Sequence, residues 1–148
     1  PGDHIGMIGL FTPLLSRLLA SGARLTVVEL KAHLAGQREG YRVTLDAAEL
    51  AGCHKVLGTG ALLINDTLDS LLVHCRQATH IALIGPTLGC LPDALWARGV
   101  RFMGGSWVPD AAAYVDALRS GQPRPGLSQK VGLTPENYPG WDRLLARL

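Results

Sequence analysis

His4-Ile-Gly-Met-Ile-Gly-Leu10, then Phe11-Thr-Pro-Leu-Leu-Ser-Arg-Leu-Leu-Ala20, then Arg24-Leu-Thr-Val-Val-Glu-Leu30 together spell one strand–helix–strand unit. The first run is short, apolar and ended by a Thr-Pro pair, which reads as a strand. Leu14, Leu15, Leu18 and Leu19 then recur at helical spacing up to Gly22. Pro13 suits the first turn of that helix, where its missing N–H costs nothing. The third run is rich in β-branched residues and reads as a second strand.

Outward from this unit the alternation continues. Lys31 to Arg42 is polar, carries Gly36 and Gly40, and reads as a loop. Thr44 or Asp46 is placed to cap a short helix over Ala47 to Leu50. His54-Lys-Val-Leu-Gly58 is a weaker third strand, and Asn65 or Asp66 is expected to cap the helix carrying Leu68, Leu71 and Leu72. His80-Ile-Ala-Leu-Ile-Gly85 is a fourth strand, Pro92 opens a helix ending near Gly99, and Val100-Arg-Phe-Met103 is a fifth. Pro109 and Asp110 start a helix through Leu118, closed by Gly121. Gln122 to Gly126 reads as a turn, Thr134-Pro-Glu as an interrupted helix start, and Trp141 to Leu148 as a last short helix. Strands separated by helices imply parallel pairing with right-handed crossovers. The expectation is an α/β, Rossmann-like three-layer sandwich with a mainly parallel five-stranded sheet over residues 1–122, followed by a tail, 123–148. The chain enters a strand almost at once, so a further upstream segment is expected.

Composition excludes several classes. At 148 residues, 47% hydrophobic and 18% charged, the chain suits one globular domain. No apolar run reaches the roughly 20 residues needed to cross a bilayer. The net charge of +2 is concentrated at one end. Residues 119–148 hold five basic against two acidic side chains, a net of +3, which leaves the rest at −1. A basic tail is not a basic stripe, so no nucleic-acid surface is expected. Cys53, Cys75 and Cys90 are odd in number and lack CxxC spacing, which reads as reduced thiols in a cytoplasm.

Ligands of open α/β sheets bind outside the carboxyl ends of the strands, which makes the loops there the place to look. The first turn, Gly6-Met-Ile-Gly9-Leu-Phe, lacks the GxGxxG spacing and puts bulky residues where a pyrophosphate needs close backbone approach. Glu29 ends the second strand, where an acidic residue can accept from ribose hydroxyls; equally, it can be a solvated strand end. Gly58-Thr59-Gly60-Ala61 followed by Asn65-Asp66-Thr67 offers backbone donors and hydroxyls to a polar ligand, although capping alone accounts for its second half. Gly85-Pro86-Thr87-Leu-Gly89-Cys90 and Gly104-Gly105-Ser106-Trp107 follow later strands on the same edge. Cys90 is the cysteine best placed for chemistry, although most cysteines are buried and inert. His33, after the second strand, pairs with Cys90 as the candidate soft-metal set for a divalent transition metal. Cys53-His54 and His74-Cys75 form no preformed chelate, because adjacent side chains diverge.

Ile5-Gly-Met-Ile-Gly-Leu-Phe, Val27-Val-Glu-Leu, Gly58-Thr-Gly-Ala-Leu-Leu-Ile-Asn-Asp-Thr-Leu, Leu83-Ile-Gly-Pro-Thr and Ala97-Arg-Gly-Val-Arg-Phe-Met-Gly-Gly-Ser occur in order. Together they resemble the C-terminal, Rossmann-like domain of the uncharacterised prokaryotic family described as "Putative heavy-metal chelation", over residues 4–122. The resemblance implies an N-terminal enolase-like domain lying outside this chain, a metal-chelating role and a link to cobalamin synthesis. It also implies a site around Thr59, Gly60, Asn65, Thr67, Gly85, Pro86 and Thr87. The family's turn after Gly-Pro often carries Ser, where this chain has Thr87-Leu-Gly89-Cys90.

Three functions follow as expectations. The first is binding of a small molecule or metal complex, linked to metal homeostasis. The second is a nucleoside-cofactor enzyme of the S-adenosylmethionine type, resting on Glu29. The third is an assembly domain, with Tyr138, Trp141 and Leu148 packing on a second copy as a homodimer. Neither nucleic acid nor membrane is expected as a partner.

Overall fold

The computed structural model describes residues 2–123 and 125–147. Strands β1 (His4–Ile8) and β2 (Arg24–Val28) flank helix α1 (Thr12–Ala20), as the opening unit predicts. The remaining elements are β3 (Gly36–Arg38), β4 (Tyr41–Thr44), β5 (Lys55–Thr59), α2 (Ala61–Ile64), α3 (Leu68–Leu72), β6 (His80–Ile84), α4 (Asp93–Trp96), β7 (Val100–Trp107), α5 (Ala111–Arg119), β8 (Gln129–Leu133) and α6 (Trp141–Leu145). Two 3₁₀ turns, Ala32–Leu34 and Ala47–Gly52, join them.

One sheet has the order β3-β4-β2-β1-β5-β6-β7-β8. The six inner strands are parallel and the pairs at the two edges, β3–β4 and β7–β8, are antiparallel. Removing the edges leaves the doubly wound order, with the direction of winding reversing between β1 and β5. Both faces of the strands are buried. Ile8, Val28, Val56, Leu83 and Met103 face α2, α3 and α4 on one side. Met7, Leu25, Val27 and Val43 meet Leu15, Leu18 and Leu19 of α1 on the other. Those three leucines are only partly buried, so each contributes less than the roughly 1.5–3 kcal/mol of a fully buried leucine. Gly6 belongs to this packing. A Cβ there would lie 2.8 Å from Leu50 Cδ2 and 3.0 Å from Cys53 Sγ, so the glycine lets the 3₁₀ turn at 47–52 sit directly on β1.

The sheet is larger than expected, with eight strands in place of five. The polar stretch 31–42 contains β3 and the start of β4. Gln37 pairs with Arg42 and Arg38 with Tyr41 across a turn at Gly40, whose φ is +80°. The edge strand β3 is exposed at every residue and carries no apolar alternation, so it reads as loop. Gly104-Gly105-Ser106-Trp107, expected to be a turn, continues β7, because β8 pairs with it from Met103↔Leu133 to Trp107↔Gln129. The segment read as a tail thus contributes a strand to the sheet. Thr134-Pro-Glu forms a turn closed by bonds from Asn137 and Tyr138 N–H to Thr134 O, not a helix. Arg124, inside the expected turn, and Leu148, at the end of the expected last helix, lie outside the described residues.

Helix caps follow chemistry in part. Asp46 accepts from Ala48 N–H at 2.9 Å and Asp110 from Ala113 N–H at 2.9 Å. Neither Asn65 nor Asp66 caps α3: Thr67 holds that position without a side-chain bond, and Asp66 adopts a left-handed φ of 54°.

Candidate functional site

A cavity of about 350 Å³ opens at the carboxyl ends of β1, β2 and β5, where the winding reverses. Its lining is mostly apolar: Ile8, Val28 and Leu62 are buried at its base, while Leu30 and Leu45 are largely exposed. Its polar groups are Thr59, Asn65, Thr67, Ser70 and the carboxylate of Glu29. Among the described residues, no lysine, arginine or histidine lines it.

The backbone donors of the first turn are already engaged. Gly9, at φ +84°, turns the chain and donates to Val28 O at 2.9 Å. Leu10 N–H donates to Glu29 Oε1 at 3.0 Å, and Phe11 N–H donates to Met7 Sδ at 3.3 Å. Glu29 Oε2 takes the N–H groups of Leu30 (2.9 Å) and Lys31 (3.3 Å). Burial pushes the Glu29 pKa up, but the three backbone donors outweigh it and hold the carboxyl below its ordinary value. The acidic residue therefore ties two turns together with both of its oxygens. A diphosphate finds the Gly9, Leu10 and Phe11 N–H groups taken and, among the described residues, no cation in the cavity lining.

The second turn is similarly closed at its backbone. Gly60 N–H donates to Ile84 O at 2.8 Å. Gly60 is buried under Thr87 and Leu88: a Cβ would lie 2.5 Å from Thr87 Oγ1 and 3.1 Å from Leu88 N. Ala61 N–H donates to Thr59 Oγ1 at 3.3 Å, so the Thr59 hydroxyl proton has no intramolecular use in that bond. Orienting the Asn65 amide to satisfy its neighbours brings Nδ2 within reach of Ala61 O (2.9 Å), Leu62 O (3.2 Å) and Thr67 Oγ1 (2.7 Å), and its two N–H protons are shared among these acceptors. Thr67 then accepts and keeps its own O–H for the cavity.

The expected site residues divide. Glu29, Thr59, Asn65 and Thr67 line this cavity together. Gly60 supports it from below. Asp66 turns away and lines a neighbouring cavity with Asp69, Cys90 and Arg98. Gly85 and Pro86 line a third cavity on the far side of the sheet with Phe11, Phe102 and Val131. Thr87 packs on Gly60. His33 sits exposed in the 3₁₀ turn after β2, and Cys90 follows β6. Those strands are three spacings apart in the sheet, roughly 14 Å. Ser70, Gly9 and Leu45 were missed. Ser70 lies in the short helix that Thr67 precedes as its N-cap, and that i, i+3 spacing is the signal that could have found it.

Among the described residues no group of three or more His, Cys, Asp or Glu side chains is placed to hold a metal ion. Burial raises the pKa of Cys53 and, helped by Cys53, pushes that of Cys75 up to about 11, so both remain protonated thiols and poor ligands. Asp69 is engaged by Arg98 at 2.7 Å. These residues do not make a site for a bare metal ion.

The family match runs over residues 1–136, to the model described as "Putative heavy-metal chelation". The chain belongs to this family, DUF364. Two solved proteins of unknown function from the same family share the fold. One, from Desulfitobacterium hafniense, is 27% identical with a TM-score of 0.70, over 90% of this chain and 53% of that one. The other, from Pyrococcus horikoshii, is 21% identical with a TM-score of 0.73, over 89% and 55%. The chain spans about half the length of these DUF364 relatives. No curated protein matches it. No described helix is long and apolar enough to cross a membrane.

Proposed function

We propose that this DUF364 domain binds a small, largely apolar organic molecule with uncharged hydrogen-bonding groups along one edge, at the reversal of winding between β1 and β5. One observation carries this reading: the 350 Å³ cavity has an apolar floor and a rim of Thr59, Asn65, Thr67 and Ser70, with no cation among the described residues. Apolar contact supplies affinity and a few polar groups fix orientation, as in most small-molecule sites. The metal-chelating role in the family's description fits this site as binding of a metal already complexed by an organic chelator. A nucleoside cofactor is less well served, since both Glu29 oxygens are committed to backbone N–H groups.

The test is amide-shift mapping by NMR with four probes: indole as the uncharged apolar molecule, adenosine and NAD as nucleoside ligands, and cadmium chloride as the bare metal. Indole should shift Thr59, Asn65, Thr67 and Ser70 saturably and at lower concentration than adenosine or NAD. The paired substitutions Thr59→Val and Thr67→Val should each weaken that binding roughly three- to tenfold. Binding unaffected by both variants, or cadmium saturating the same amides at lower concentration, would sink the proposal.

A further inference from the structure

A second, chemically different cavity of about 510 Å³ lies on the sheet face partly roofed by the 3₁₀ turn Ala47–Gly52, toward the amino ends of β1 and β2. The ladder brings its side chains together. His4 pairs with Arg24 on the neighbouring strand, and Thr26 pairs with Arg42 on the next. Arg24 and Thr26, two residues apart, share a face. His4 Nε2 lies 2.9 Å from Thr26 Oγ1 on that face, and Arg42 donates to Glu49 Oε1 at 2.9 Å.

The two arginines are in different states. Arg42 is paired: Glu49 Oε1 takes its guanidinium and also the Thr44 hydroxyl, at 2.8 Å. Arg24 has no carboxylate partner among the described residues. Its Nη2 lies 2.6 Å from His4 Nδ1. The same Nδ1 lies 2.9 Å from Gly52 O. A guanidinium only donates and a carbonyl only accepts, so one ring nitrogen faces two incompatible demands. His4 is buried, and burial together with the Arg24 charge lowers its pKa, which keeps the ring neutral. A neutral ring serves Gly52 or Arg24, never both. The permanent charge of Arg24 is thus left facing the cavity without a matching anion.

We propose that this cavity binds the carboxylate or phosphate group of a small organic anion, with Arg24 as its principal contact and Arg42 beside it. An oxyanion takes the guanidinium through charge-assisted, bidentate hydrogen bonds. It draws Arg24 off His4, and the Nδ1–H then donates to Gly52 O alone. Glu49, the carboxylate among the lining residues, is already neutralised by Arg42 and does not compete. At 510 Å³ the space exceeds a bare oxyanion, so an organic body accompanies the charged group. This site is separate from the cavity at the carboxyl ends, and the two readings fail independently.

The experiment titrates the isotope-labelled chain with succinate and with inorganic phosphate, following backbone amides and imidazole nitrogens. One probe or both should shift Arg24, Thr26 and Arg42 saturably and move His4 Nδ1 toward the N–H form. The probe that saturates names the head group. Arg24→Gln should weaken binding roughly ten- to a hundredfold, while Arg24→Lys retains part of it. Arg24 is exposed, so both variants keep the fold, checked by unchanged shifts in β5 and β6. No saturable shift with either probe, or equal affinity in Arg24→Gln, overturns the proposal.

Discussion

The carboxylate of Glu29 and the amide of Leu10 are joined by a 3.0 Å hydrogen bond that locks the turn after β1 to the turn after β2. In a dinucleotide site these two groups belong to the ligand: the amide to a phosphate and the carboxylate to a ribose. Here each satisfies the other. The fold's usual cofactor position is thus turned into a structural clasp, and the cavity beside it is left to uncharged polar groups.

Glu29→Gln should therefore cost stability, about 1–2 kcal/mol at neutral pH, because the charge-assisted bonds to Leu10, Leu30 and Lys31 are weakened. The folded carboxyl titrates below its ordinary value of 4.5. Its contribution is present above that value and is lost as pH falls through the lower, folded one. Urea titrations of both proteins should show a gap near neutrality that closes in acid. A gap that stays constant down to strongly acidic pH would refute the clasp.

Gly60→Ala should destabilise by about 1–3 kcal/mol through overpacking, since its Cβ meets Thr87 Oγ1 at 2.5 Å and the backbone of Leu88 at 3.1 Å. Gly89→Ala, with nothing within 4 Å, is the control and should be nearly silent. Calorimetry should show the first melting roughly 3–10 °C lower and the second unchanged. Equal melting temperatures would mean the turn yields without cost.

The parallel core was legible because burial on both faces forces apolar runs such as Leu25 to Val28 and Ile81 to Leu83. The edges were not. Gln37, Arg38 and Arg42 are polar because water reaches them, and Gly104 and Gly132 are glycine because the Phe102 ring lies across both, within 2.9 Å of a Cβ at either. Thr59, Asn65 and Thr67 stood out as a cap-rich turn and do share a cavity. Asp66, in the same tripeptide, points elsewhere because its left-handed backbone redirects it. Arg24 and His4 drew no attention, since only strand register brings residues 20 apart into contact.

The three thiols should separate sharply in reactivity. Cys90 is exposed, whereas Cys53 and Cys75 are buried and free. Burial raises both buried thiols, Cys75 to about 11, which suppresses their thiolates as well as their access. A disulfide reagent should consume one equivalent quickly in the native protein and three in denaturant, and Cys90→Ser should abolish the fast phase. Two fast equivalents would show that the packing around Cys53 or Cys75 opens readily.

Asp93, the first residue of α4, fastens the C-terminal segment to the domain. Tyr138 O–H donates to Asp93 Oδ2 at 2.6 Å, and Trp141 N–H donates to Oδ1 at 3.1 Å. Burial and then the Asp93 carboxylate push the Tyr138 phenol up to about 12, while its hydrogen bond to Tyr138 holds Asp93 below the ordinary range. The phenol's contribution is intact below its unfolded value and is lost as pH rises through the folded one. An absorbance titration should show a phenol ionising near pH 12, and Tyr138→Phe should remove that step. The same variant should speed proteolytic cleavage within residues 134–147, since α6 buries no residue of its own and depends on this fastening. Unchanged cleavage would assign the attachment to the Trp141 amide instead, a bond the substitution leaves in place.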